Sequence, residues 1–150
     1  MLVCRMKIEQ EIKHEFWSAQ QRAITNLIFT SNWFLNQIAL ALRPSGLSLQ
    51  QFNAISILYG QSNQMATVNL IKERLIDRMP NTSRLVNKLL KKGLVQNERN
   101  LSDQRVVYVK LTPEGARLKE EARKIIDHLK INLDTSQADQ LNDLLEQLGV

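Results

Sequence analysis

At Gly93 the apolar periodicity of this chain changes from three-or-four to two, and no other feature restricts its fold so tightly. Before it, apolar residues recur at helical spacing. After it, residues 94–99 and 105–111 read as two short strands, the second rich in valine and tyrosine with alternate residues sharing a face. The five residues between them are turn formers with one apolar exception, Leu101, so the pair reads as a hairpin. Thr112 and Pro113 then supply an N-cap and a first-turn proline, and helix resumes. The predicted class is mostly α with a minor β component.

Helical pattern covers the rest. Ile8, Ile12, Phe16, Ala19, Ala23, Leu27, Phe34, Ile38 and Leu42 form one stripe, widened by Trp17, Ile24, Ile28 and Trp33. A helix of ~35 residues there would span roughly 50 Å, more than the width of a small domain, so part of it should find a partner outside its own globule. Pro44 and Gly46 stop it. Ser48 and Gln51 form a capping box that opens a second helix, with Phe52, Ile55 and Leu58 (or Tyr59) facing the core and Gly60 at its end. Thr67 caps a third, carrying Leu70, Ile71 and Leu75. A fourth is expected from about residues 78–80, with Pro80 in its first turn, to Lys92. Gly93 is its stop, and Lys91 and Lys92 suit the negative end of its dipole. A fifth helix is predicted to run to about Leu133. A sixth covers 136–148, with Leu141, Leu144, Leu145 and Leu148 as its apolar face.

With 150 residues, 43% of them hydrophobic, the chain can bury a core without disulfides or metal. Cys4 is the single cysteine, and His14 and His128 are too far apart to suggest a metal site. No apolar run approaches the ~20 residues of a membrane span, and the charged N-terminal stretch does not read as a secretion signal. A soluble, cytoplasmic protein without cofactor, metal or membrane partner is expected. An enzyme is not, because there is no nucleophile elbow, phosphate-binding glycine loop or spaced acid–base pair. The net charge of +5 is concentrated: residues 70–110 carry ten basic side chains against four acidic ones. A localised basic block is the footprint of a polyanion binder.

Three helices followed by a hairpin over residues 48–112 is the order of a winged helix-turn-helix, in which the fourth helix of the chain fits the major groove. Its buried face would be Thr82, Leu85 with Val86, and Leu89. The opposite face would present Asn81, Ser83, Arg84, Asn87 and Lys88, residue types used at base edges and phosphates. Arg99 and Arg105 flank the hairpin tip, and an arginine is well suited to a narrow, electronegative minor groove.

The chain resembles the MarR (multiple antibiotic resistance regulator) family of dimeric winged-helix transcription regulators. The resemblance rests on Ser83-Arg84-Leu85-Val86-Asn87-Lys88-Leu89, Lys92-Gly93-Leu94-Val95, and the run from Ser102-Asp103-Gln104-Arg105 to Leu111-Thr112-Pro113-Glu114-Gly115. Ala66-Thr67-Val68-Asn69-Leu70 also looks like the family's entry into its third helix. The resemblance implies that Arg105 enters the minor groove, held by Asp103, while Asn81, Ser83, Arg84 and Lys88 sit in the major groove. Two positions depart from the family pattern: Asn97 with Glu98 makes the wing stem less positive, and Met79-Pro80-Asn81 replaces a serine- and threonine-rich helix entry.

The same resemblance implies an N-terminal dimerisation helix over residues 1–43, a DNA-binding domain over 48–112 and C-terminal dimerisation helices over 113–150. It also implies a homodimer on inverted-repeat double-stranded DNA, most often a repressor. Trp17, Phe29, Trp33, Phe34 and Phe52 are candidates for the wall of a pocket for a small aromatic or phenolic ligand, with ordinary packing as the alternative for each. Two other readings stand beside the repressor. One is an interaction module that keeps the winged fold without reading DNA. The other is a redox-sensing regulator acting through Cys4, although the family's sensing cysteine sits elsewhere.

Overall fold

A cap divides the apolar stripe of residues 8–42. The computed structural model describes residues 7–13, 15–77, 81–99, 107–129 and 131–148. Helix α1 (Ile8–Ile12) closes at Lys13, whose backbone is left-handed at φ 51°. Helix α2 (Ala19–Leu42) begins where the Ser18 hydroxyl accepts from the Gln21 amide at 3.1 Å. The single long helix expected from the pattern is therefore two. Ser18, extended at φ −151°, cannot lie inside a continuous helix, and its side chain competes with the helix for a backbone donor. An ion pair between Arg22 and Glu9 links α1 to the first turns of α2. The 24 residues of α2 span about 36 Å.

Leu42 is fully buried where α2 ends. A short 3₁₀ turn, Arg43–Ser45, then closes on left-handed Gly46. The predicted capping box is present: Ser48 and Gln51 exchange side-chain-to-backbone bonds of 3.2 Å in both directions. It opens α3 (Leu49–Tyr59), which buries Ala54, Ile55 and Leu58. Two residues, Met65–Ala66, form strand β1. Thr67 accepts from the Leu70 amide to start α4 (Val68–Arg74), as its position suggested. Helix α5 (Thr82–Lys91) starts later than the expected 78–80, because Asn81 takes the N-cap and its side chain accepts from the Arg84 amide at 3.0 Å. Arg78, Met79 and Pro80 lie outside the described residues.

Gly93 stops α5 by a mechanism readable in its geometry. With φ at 69°, it lets its amide donate to Leu90 and the Leu94 amide donate to Leu89, at 3.0 and 3.1 Å. This is the Schellman pairing, and only glycine enters that left-handed position without steric cost. Strand β2 (Val95–Arg99) then pairs antiparallel with β3 (Val107–Leu111), in register from Val95 opposite Leu111 to Arg99 opposite Val107. Strand β1 pairs with the other side of β3 through Met65–Lys110 and Ala66–Val109, giving the order β1-β3-β2. Sequence patterning misses β1, since two residues cannot display an alternation. Val109 and Leu111 turn inward to the core shared with Ile55, Leu58, Ile71 and Leu89.

The Thr112 hydroxyl donates to the Gly93 carbonyl at 2.8 Å and accepts from the Gly115 amide at 3.1 Å, starting α6 (Pro113–Ile126). Within α6, Lys119 is buried, its ammonium 3.9 Å from the centroid of the Tyr59 ring, which joins α6 to the end of α3. Helix α6 stops at Ile126 rather than near Leu133. Asp134, extended at ψ 172°, forms a second capping box with Gln137 and begins α7 (Thr135–Glu146). Ile126 still packs on the core, but Ile131 and Leu133 beyond it are exposed.

Gly115 has no room for a side chain, since a Cβ there would fall 2.1 Å from the Leu94 carbonyl oxygen. At Gly60, the nearest atoms would be ordinary contacts at 3.7 Å and beyond. Gly115→Ala is expected to cost about 1–3 kcal/mol through overpacking, and Gly60→Ala to stay within about 1 kcal/mol, both read from urea unfolding midpoints.

Candidate nucleic-acid interface

Helix α5 is two-faced for a reason in its sequence. Thr82, Leu85, Val86 and Leu89, three or four apart, are all buried. Asn81, Ser83, Arg84, Asn87 and Lys88 are all exposed. The structure thus brings the five predicted residues to one outward surface, on a helix held by α4 and the core beneath it. An α-helix is the element that the ~12 Å width of a B-form major groove admits.

Asn81 has a second job. Its side-chain oxygen caps α5, so its amino group and remaining lone pair are what it has left for another partner. Arg99 ends β2 at an exposed position next to the hairpin. Asp103 and Arg105 lie outside the described residues. Not all of the central positive block is available to a polyanion. The Lys110 ammonium pairs with the Glu98 carboxylate across β2 and β3 at 2.8 Å. Lys92, expected to serve the dipole at the end of α5, donates instead to the Gly46 carbonyl at 2.6 Å and to Gln51 Oε1 at 3.0 Å. Its charge ties the end of α5 to the start of α3.

Sequence reasoning missed that tie, and with it Ser48, Gln50 and Gln51, which share a cleft of about 320 Å³ with Asn81, Arg84, Leu85 and Lys88. Nothing local in the sequence links residue 50 to residues 84–88; only the fold brings them together.

The five aromatic pocket candidates sit in different surroundings. Phe52 packs on the core cluster, Trp33 and Phe34 meet edge to face at 4.8 Å, and Phe29 is exposed. Trp17 is 81% exposed. His128 is a surface residue whose Nδ1 meets the Lys124 carbonyl of its own helix turn. Cys4 and His14 lie outside the described residues.

A buried-backed helix with a polar, cationic outer face, preceded by a short helix and followed by a hairpin, defines a winged helix-turn-helix of the kind found in transcription regulators. The family model for the transcriptional regulator SarA/Rot matches residues 38–129, and the chain belongs to that family. The fold is also that of MarR-family regulators, as the sequence resemblance implied. AbsC, a MarR family transcriptional regulator from Streptomyces coelicolor, superposes with a TM-score of 0.76 at 17% identity, over 90% of this chain and 95% of that one. A mutant MarR from E. coli complexed with operator DNA gives 0.72 at 22% identity, over 91% and 100%. CouR from Rhodococcus jostii bound to p-coumaroyl-CoA gives 0.71 at 20% identity, over 89% and 95%. No curated protein matches the chain. Among the described residues no helix is long and apolar enough to cross a membrane.

The cap on α5 can be separated from any outward role of the same residue. Asn81→Ala is expected to cost about 1 kcal/mol, whereas Asn81→Ser, which keeps a capping oxygen, should unfold at nearly the wild-type urea midpoint.

Proposed function

We propose that this protein is a sequence-specific regulator of transcription that binds double-stranded DNA as a homodimer, represses from an inverted-repeat site and is released by a small aromatic or phenolic ligand. The observation that carries the reading is α5, whose buried face fixes Ser83, Arg84, Asn87 and Lys88 outward together. Arginine suits guanine, asparagine suits adenine, and serine and lysine suit the backbone. Asp103 and Arg105 are assigned to the wing's minor-groove contact from the sequence resemblance alone, with Arg99 beside them. The E. coli MarR structure with operator DNA and the CouR structure with p-coumaroyl-CoA are consistent with both halves of this reading.

The homodimer is argued from surface chemistry. Ile24, Ile28 and Trp33 on α2 and Leu141, Leu144 and Leu145 on α7 are exposed, with Leu144 at 61%. Two amphipathic helices baring their apolar sides in one protomer make an interaction surface. On this reading residues 1–43 and 113–150 form the dimerising part, residues 48–112 bind DNA, and a two-fold axis sets two copies of α5 about one DNA turn (~34 Å) apart. A ligand that favours another spacing would release the DNA.

The Glu98–Lys110 pair, which removes a positive charge from the wing stem, favours a second reading: a winged module that binds protein rather than DNA. Selection of duplexes from a random pool, followed by binding at increasing salt, separates the two. A DNA reader should enrich an inverted repeat and lose affinity steeply between about 50 and 200 mM salt. Binding no better than random at every salt supports the protein-binding module. For Arg84→Ala the expected loss is ~1–3 kcal/mol of discrimination between selected and scrambled duplexes.

Leu144→Glu should convert the dimer to monomer in sedimentation at micromolar concentration. A variant that still sediments as a dimer removes α7 from the proposed interface.

A further inference from the structure

The cleft between the start of α3 and the outer face of α5 has one-sided chemistry. Its lining contains two cations, Arg84 and Lys88, and no carboxylate. Neither cation forms an ion pair among the described residues. Opposite them stand Ser48, Gln50 and Gln51. Gln51 is only 6% exposed, and its Oε1 already accepts from the Ser48 amide and the Lys92 ammonium. Those two donors fix which end of the carboxamide is oxygen, so its amino group carries the remaining hydrogen-bonding capacity. That amino group has no acceptor among the described residues. The Lys92 tether to Gly46 and Gln51 holds this wall against α5. A concavity that offers ammonium, guanidinium and amide donors and lacks an acid suits an anion with several acceptor oxygens.

We propose that this cleft seats a phosphate of the DNA backbone, held by Lys88 from one wall and by Gln50 and Gln51 from the other. The proposal rests on the DNA-binding reading above and extends the interface to α3, a helix outside the α4–α5 pair. The phosphate is the duplex's own because the cleft shares Arg84 and Lys88 with the outward face of α5, so a duplex meeting that face brings its backbone to the opening. A phosphate contact sets the register of a protein on DNA without reading sequence. Gln50 and Gln51 are thus positioning residues, and the spacing from their wall to α5 sets how α5 enters the groove.

The test is fluorescence anisotropy with two duplexes: one that the wild-type protein has selected from a random pool, and a scrambled duplex of equal composition. Lys88→Gln is expected to weaken both by the same factor, about tenfold, and to reduce the salt slope by about one. Gln50→Glu places a carboxylate opposite Lys88 and should weaken both at least as much, with wild-type unfolding in urea. Should that variant not fold, Gln50→Ala is expected to lose several-fold affinity for both duplexes. Wild-type affinity in a folded Gln50 variant overturns the proposal. So does a Lys88→Gln protein that changes the ratio between the duplexes while keeping the full salt slope, since Lys88 would then read a base. Inorganic phosphate that raises the melting temperature of wild type but not of Lys88→Gln, with DNA affinity unchanged in that variant, assigns the cleft to a free anion and also overturns it. If wild type binds both duplexes alike and Lys88→Gln still loses one unit of slope, sequence-specific reading fails and the phosphate seat stands.

Discussion

The contact between Gly115 and the Leu94 backbone organises the winged half of this protein. Three elements converge on it: the end of α5, the first residue of the wing and the first turn of α6. Leu94 gives its amide to the Schellman closure of α5 and its carbonyl to the Thr112 amide, while Thr112 also bonds Gly93 and Gly115. A side chain at 115 would push these apart, because the obstructing atom is backbone. Helix α5, the wing and α6 are therefore fixed to one another at a single point. A rotation of α6 would carry both α5 and the wing with it.

Charge is partitioned in a way that the total of +5 does not reveal. Lys92 and Lys110 belong to the same basic block as Arg84 and Lys88, yet each is engaged within the fold. Lys119 is buried over Tyr59 with Glu120 beside it. What remains outward on α5 is a smaller set of cations. It lies next to short polar side chains able to make directional hydrogen bonds, and such a surface suits recognition of one polyanion geometry better than diffuse attraction.

Much of the architecture was legible because its signals are local. Ser48 with Gln51, Thr67, Thr112 before Pro113, and Gly93 each act on backbone groups within a few residues, so their chemistry can be read along the chain. The alternation in β3 and the two-faced pattern of α5 were legible for the same reason. Sequence patterning failed where a stronger local device interrupted a good pattern. Ser18 splits the first apolar stripe, and Asn81 caps α5 in preference to a proline-led start. The Lys92 link from α5 to Gly46 and Gln51, and the polar wall at Ser48 and Gln50, were invisible because they join residues some forty positions apart.

The two residues of β1 have a consequence for life in a crowded cell. A three-residue or longer edge would leave a row of unpaired amides and carbonyls on which another chain could build. Met65–Ala66 covers part of one flank of β3 and then gives way to α4, so it exposes almost no ladder of its own. That brevity makes this side of the sheet a poor template for strand addition and fibril growth.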